Sequence, residues 1–96
     1  MNLRELAKEA PHCMGCGLVN FDGQQLCLAH SNSLRHGRGV GHKSKDVYGA
    51  YLCASCHDAV DGRKGGHSKA EKRDMHRIAW AATMEWWIEN GYVRVA

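Results

Sequence analysis

Aromatic side chains are scarce in this chain, seven among 96 residues, and three of those are Trp80, Trp86 and Trp87. A chain of this length buries about two-thirds or less of the surface it exposes when unfolded, so a core poor in large rings is marginal on its own. There is also no long apolar run, no heptad array, no internal repeat and no low-complexity tract. These absences exclude a membrane span, a coiled coil and a second domain, and leave residues 1–96 as one unit. The opening stretch Met1 to Ala10 mixes charges with an apolar stripe and lacks the hydrophobic stretch of a secretory signal. The chain is therefore expected in the cytoplasm, where disulfides do not persist. With 44% hydrophobic residues and a net charge of +3, it falls in the globular range.

Against the thin core stand five Cys, seven His and eleven Gly. Small domains of this kind need a cross-link. Four of the cysteines form two Cys-x-x-Cys pairs, Cys13/Cys16 and Cys53/Cys56. Each pair presents two sulfurs on one side of a tight turn, and together they can supply four thiolates to a tetrahedral structural zinc. An iron–sulfur cluster is the competing occupant of the same cysteines. Cys53-Ala54-Ser55-Cys56-His57 also matches the haem attachment motif, but that chemistry requires export and leaves Cys13 and Cys16 idle, so no haem is expected. Cys27 has no partner at this spacing and reads as a core-facing strand residue.

Local patterns predict the elements. Residues 2–10 read as a short amphipathic helix, with Leu3, Leu6, Ala7 and Ala10 on one side and Pro11 as the stop. Leu18 to Asn20 and Gln25 to His30 read as a hairpin turned at Asp22-Gly23. Ser31 to Lys45 carries no periodicity, and Gly37, Gly39 and Gly41 alternate with Arg38, Val40 and His42, as in an exposed flexible loop. Val47 to Leu52 reads as a third strand and Ala54 to Val60 as a short helix. Ser68 and Glu71 form a capping box for the longest helix, whose apolar face is Met75, Ile78, Ala79, Ala82, Trp86 and Ile88, ended by Gly91. Tyr92 to Val95 reads as a last strand. Adjacent Trp86 and Trp87 project about 100° apart on a helix, so one of them has its place at a dimer contact or against a neighbouring element.

Taken in order, Cys13-Met14-Gly15-Cys16, Leu28-Ala29-His30, Gly41-His42-Lys43-Ser44-Lys45-Asp46 and Leu52-Cys53-Ala54-Ser55-Cys56-His57-Asp58 make up a recognisable series. The series resembles the HNH (His-Me finger) endonucleases, and most of all the short prophage-encoded nucleases of the YbcO-like type. The resemblance covers Cys13 to Asp61, roughly half the chain. It implies an α+β fold, a zinc-stabilised ββα-metal (treble-clef-like) domain with an added C-terminal helix. It implies His30 as the general base that takes a proton from water attacking the scissile phosphate, a role suited to imidazole, which titrates near neutrality. It implies His57 as a ligand of a catalytic Mg²⁺ or Mn²⁺ ion. Asp46 matches the aspartate of the YbcO-like subgroup, as a group that orients His30 or reaches the metal.

The chain departs from the general HNH pattern in two places. Many relatives carry Asp or His just before the base as a second metal ligand, and here that residue is Ala29. The central Asn is missing where the chain reads Asp46-Val47-Tyr48. Asp61 and His67 are the replacement ligands on offer, and Asp61 shares a helix face with His57 four residues earlier. The plainer alternatives are a structural His30 at a strand end, a His57 that bonds the knuckle, and acids at Asp58 and Asp61 that suit a helix dipole.

Charge is concentrated although the net value is small. Arg35, Arg38, Lys43 and Lys45 lie in a stretch without an acid, and Arg63, Lys64, Lys69, Lys72, Arg73 and Arg77 follow with only Glu71 and Asp74 among them. Cationic side chains on glycine-rich backbone suit phosphate contact that positions a nucleic acid without reading its bases. The resemblance favours DNA. The leading expectation is a small, divalent-metal-dependent DNA endonuclease of low sequence specificity, of phage or prophage type. The alternative is a non-catalytic zinc module that binds nucleic acid or a partner protein.

Overall fold

The computed structural model describes residues 2–30, 46–62 and 65–93. In chain order these form a 3₁₀ helix (Glu5–Glu9), strand β1 (Leu26–His30), a 3₁₀ turn (Asp46–Tyr48), strand β2 (Gly49–Cys53), helix α1 (Ala54–Asp61) and helix α2 (Lys69–Glu89). The architecture is a small α+β one with two antiparallel strands. Their register runs from Leu26 opposite Cys53 to His30 opposite Gly49. Among the described residues no helix is long and apolar enough to cross a membrane.

All five residues of β2 are buried, which follows from what covers it on each side. Ala50 and Leu52 pack with Ala29, Val60 and Ala79, while Tyr51 packs with Leu6, Leu28 and Trp87. Period-two alternation thus gives two apolar clusters, one on each face of the strand pair. The edge of β2 away from β1 is closed by other groups. The Tyr51 N–H donates to Thr83 Oγ1 at 3.1 Å, and the Tyr51 carbonyl accepts from the Met14 N–H at 2.9 Å. Trp87 Nε1–H donates to the Tyr51 hydroxyl at 2.9 Å, and that hydroxyl donates to the Leu3 carbonyl. Gly49 begins the strand because a Cβ there would collide with the Leu28 side chain on the neighbouring strand.

Several expectations shift. The N-terminal helix is the five-residue 3₁₀ segment, since so short a piece does not sustain α-helical bonding. The hairpin turned at Asp22-Gly23 does not form, and β1 pairs with β2 instead. Between residues 11 and 25 there is one isolated bridge, His12 to Val19, because side chains take the backbone groups a ladder would use. Asn20 Nδ2 donates to the carbonyls of Ala7, Lys8 and Ala10, Asn20 Oδ1 accepts from the Gln25 N–H, and Asp22 Oδ1 accepts from the Gln24 N–H. The third predicted strand starts two residues late, at Gly49, after the 3₁₀ turn.

In α2 the capping box of Ser68 and Glu71 is present. The buried stripe is His76, Ala79, Thr83 and Trp87, one residue round from the apolar face read above, with Ile78 70% and Ile88 40% exposed. The stripe admits two polar residues because both are bonded, His76 Nε2 to the Ala29 carbonyl at 2.8 Å and Thr83 Oγ1 to the Ala79 carbonyl at 2.8 Å. Trp87 fills the core while Trp86 lies between Tyr51 and Tyr92. The predicted last strand is absent at Tyr92 and Val93, and residues 94–96 lie outside the described residues. The Gly91 N–H bonds the Ile88 carbonyl and the Tyr92 N–H the Trp87 carbonyl, with Gly91 at φ +75°, a Schellman ending.

Thr83→Val keeps the shape of the side chain and removes the acceptor for the buried Tyr51 N–H. It is expected to lower unfolding free energy by about 1–3 kcal/mol, read from urea midpoints; an unchanged midpoint would refute this bond as a support of β2.

Candidate functional site

The two knuckles are built by backbone turns that aim N–H groups at sulfur. In the first, Gly17 at φ +81° closes the turn and its N–H bonds the Cys13 carbonyl at 3.0 Å. The N–H groups of Gly15, Cys16 and Cys53 point at Cys13 Sγ at 3.3, 3.5 and 3.3 Å. In the second knuckle Cys53 ends β2 and Cys56 sits in the first turn of α1. A side chain at Gly15 would crowd Leu52 and Cys56, so glycine lets the knuckles meet.

The four sulfurs of Cys13, Cys16, Cys53 and Cys56 all lie within 4.8 Å of one another, and this cluster could hold a metal ion such as zinc. The Cys16 and Cys53 sulfurs are 3.7 Å apart. Tetrahedral Zn–S bonds of about 2.3 Å give an S···S separation of about 3.8 Å, so the spacing fits. The electrostatics fit as well. Burial works against a thiolate at Cys13, but the three backbone N–H groups outweigh it and bring the thiol down to about 7. Burial raises Cys53 and Cys56, and at Cys56 the neighbouring sulfurs raise it further. One negative charge is welcome in the cluster and further ones are not, a balance that a bound dication reverses.

Two histidine–carboxylate pairs lie on the elements attached to this clamp. At the end of β1, His30 Nε2 is 2.7 Å from Asp46 Oδ1, and Arg4 Nε approaches the same oxygen at 3.5 Å. The hydrogen bond from His30 chiefly holds the Asp46 carboxyl below its ordinary value; partial burial opposes it and the Arg4 charge adds to it. On α1, His57 Nε2 is 3.1 Å from Asp61 Oδ2, one turn later. Neighbouring ligands of an octahedral ion with bonds of about 2.1 Å stand about 3 Å apart, so this pair is spaced to share one. His67 lies away from both pairs, before α2, at 3.9 Å from Glu71. Among the described residues the four cysteines are the one group of three or more metal-ligating side chains whose ligand atoms all lie close enough to share an ion. Ala29 is 1% exposed and supplies no ligand. Arg35, Arg38, Lys43 and Lys45 lie outside the described residues.

Two contacts escaped the sequence reading. Cys27 is exposed rather than core-facing, because it lies on β1, a strand with no further neighbour among the described residues. Its sulfur sits 3.2 Å from His57 Nδ1. The period-two pattern that pairs Cys27 with Ala29 on one strand face was the available signal. Arg4 carried no signal, since its approach to Asp46 depends on how the N-terminal segment docks against Tyr51.

Fold and site together define a small α+β protein with a four-cysteine clamp and two histidine–carboxylate pairs. A family model described as "Putative nuclease YbcO" matches residues 1–92, and the chain belongs to that family. A solved structure titled "Structure of a putative bacteriophage protein from Escherichia coli str. K-12 substr. MG1655" has the same fold. It is 20% identical, the match covers 94% of this chain and 100% of that one, and the TM-score is 0.66. No curated protein matches the sequence.

Elemental analysis of purified protein is expected to find about one zinc per chain, lost together with cooperative unfolding in Cys53→Ser; metal-free protein that unfolds like the wild type would rule the clamp out. The Asp46 pairing makes a pH prediction. A depressed folded pKa stabilises fully above the unfolded carboxylate value of about 3.9, and that stabilisation disappears as pH falls through the folded value. Asp46→Asn is therefore expected to show a shallower fall of urea midpoint than wild type below about pH 4, and equal slopes would remove the pair from the account.

Proposed function

We propose that this chain is an HNH-type endonuclease, dependent on a divalent metal, that hydrolyses DNA phosphodiester bonds with low sequence specificity in the cytoplasm. The observation that carries the reading is the His30–Asp46 pair at 2.7 Å in a member of a family described as a nuclease. With Nε2–H donated to the carboxylate, Nδ1 is the basic nitrogen of His30, and it takes the proton of the water that attacks phosphorus. Asp46 fixes that tautomer and ring orientation. His57 and Asp61, 3.1 Å apart, would hold Mg²⁺ or Mn²⁺; the ion would supply charge neutralisation at the phosphate and the leaving oxygen. The four cysteines would hold structural zinc, which fixes α1, and so His57, against the strands. Arg35, Arg38, Lys43 and Lys45 would contact the phosphodiester backbone.

The buried Ala29 and the missing third ligand favour a second reading, a non-catalytic zinc module that binds nucleic acid or a partner protein on the same scaffold. One comparison separates the two. Wild-type protein is expected to nick supercoiled plasmid in Mg²⁺ or Mn²⁺ and to stop on chelation, and His30→Ala should cost about 100-fold or more in rate. Cleavage indifferent to His30→Ala would remove the proposed base, and no cleavage in either metal would favour the binding module.

A further inference from the structure

Helix α2 carries its charges at the wrong ends. Its first nine residues, Lys69 to Arg77, hold four basic and two acidic side chains, net +2; the remaining twelve, Ile78 to Glu89, hold Glu85, Glu89 and no basic residue, net −2. A helix has partial positive charge at its N-terminus and negative at its C-terminus, so acids favour the first turn and bases the last. Here only Glu71 obeys, and it is engaged in the capping box with Ser68. Lys69 occupies the first helical position and the last turn has no base at all. The arrangement opposes helix stability and favours an external polyanion.

Placement agrees with the charge. Lys69, Arg73 and Arg77 are exposed and four residues apart, so they follow one another along the helix surface. The described ion pairs of this stretch are Arg77 with Asp74 and His67 with Glu71, and neither involves Lys69 or Arg73. The same half of α2 adjoins the supports of both histidine pairs. The Lys72 ammonium lies beside Gly62, next to Asp61. His76 bonds the Ala29 carbonyl, next to His30, and just beyond Arg77, Trp80 Nε1–H donates to the Val47 carbonyl, next to Asp46, at 2.8 Å.

We propose that the N-terminal half of α2 is a docking surface for the phosphodiester backbone of a nucleic acid, gripped by Lys69 and Arg73 with Arg77 at its flank. It holds the strand across the region between the two histidine pairs through contacts to phosphate, which position a nucleic acid without carrying sequence information. The proposal rests on the nuclease reading for the identity of the polyanion and is tested by binding rather than cleavage.

The test is fluorescence anisotropy of the full chain with a labelled DNA duplex of about 20 base pairs and the RNA duplex of the same sequence, between about 50 and 200 mM NaCl, without added Mg²⁺ or Mn²⁺. The double variant Lys69→Gln/Arg73→Gln is expected to bind at least tenfold more weakly at the lowest salt. Two lost phosphate contacts should flatten the log–log salt slope by about 1.8 on a DNA duplex, while the thermal midpoint stays equal or rises. Glu85→Gln/Glu89→Gln should leave the slope unchanged. A flatter slope on either duplex supports the surface and identifies its strand type. Wild-type affinity and slope on both would overturn it, as would weaker binding with a lowered thermal midpoint, which marks a structural role. Wild-type protein that binds with this slope yet never nicks plasmid would remove the nuclease reading and leave the docking surface standing.

Discussion

Tyr51 offers three bonding groups, and each is claimed by a different part of the chain. Its N–H goes to Thr83 on α2, its carbonyl to Met14 in the first knuckle, and its hydroxyl links Trp87 to the Leu3 carbonyl in the N-terminal segment. A two-stranded sheet has little independent stability. Here the inner strand is closed along its second edge by a side chain and a turn, which stand in for a third strand among the described residues. Burial pushes the Tyr51 hydroxyl above its usual pKa, although the bond from Trp87 pulls the other way. It acts as a neutral strut.

The cysteine clamp and this strut are mechanically one unit. Met14, which bonds Tyr51, lies between Cys13 and Cys16, and the N–H of Cys53, two residues after Tyr51, points at Cys13 Sγ. Anything that tightens the sulfur cluster also fixes β2. His57 begins four residues beyond Cys53 and His30 faces Gly49 across the ladder, so each histidine takes its position from one end of β2. The thin aromatic content is used economically, with Tyr51 and Trp87 meeting edge to face at 5.5 Å.

How much was legible depended on whether the deciding bond was local. The knuckles were legible because two close cysteines define their own turn, with glycines helping in the first, and the α2 start was legible because Ser68 and Glu71 bond each other. The pairing of His57 with Asp61 followed from one helical turn. The hairpin was misread because Asn20 reaches back to three carbonyls ten to thirteen residues earlier, a use that no strand or turn propensity encodes. The rotation of the α2 face by one residue has a similar origin. Hydrophobicity favours Ile78 over Thr83, while the unfilled N–H of Tyr51, thirty-two residues upstream, favours the hydroxyl. Arg4 and Cys27 reach their histidine–aspartate pairs only after folding, and no spacing in the sequence announces them.

Gly49 has a consequence for how the chain tolerates change. Since any side chain there would run into Leu28, the glycine sets where β2 starts, and with it the distance along the chain back to Asp46. The meeting of Asp46 with His30 is thereby decided within four residues, Asp46 to Gly49, and not by the long connection that precedes them. Insertions or deletions in that connection change its closure entropy only slowly. The pair is buffered against changes in the length of the connecting segment, and the aspartate keeps its address when that length changes.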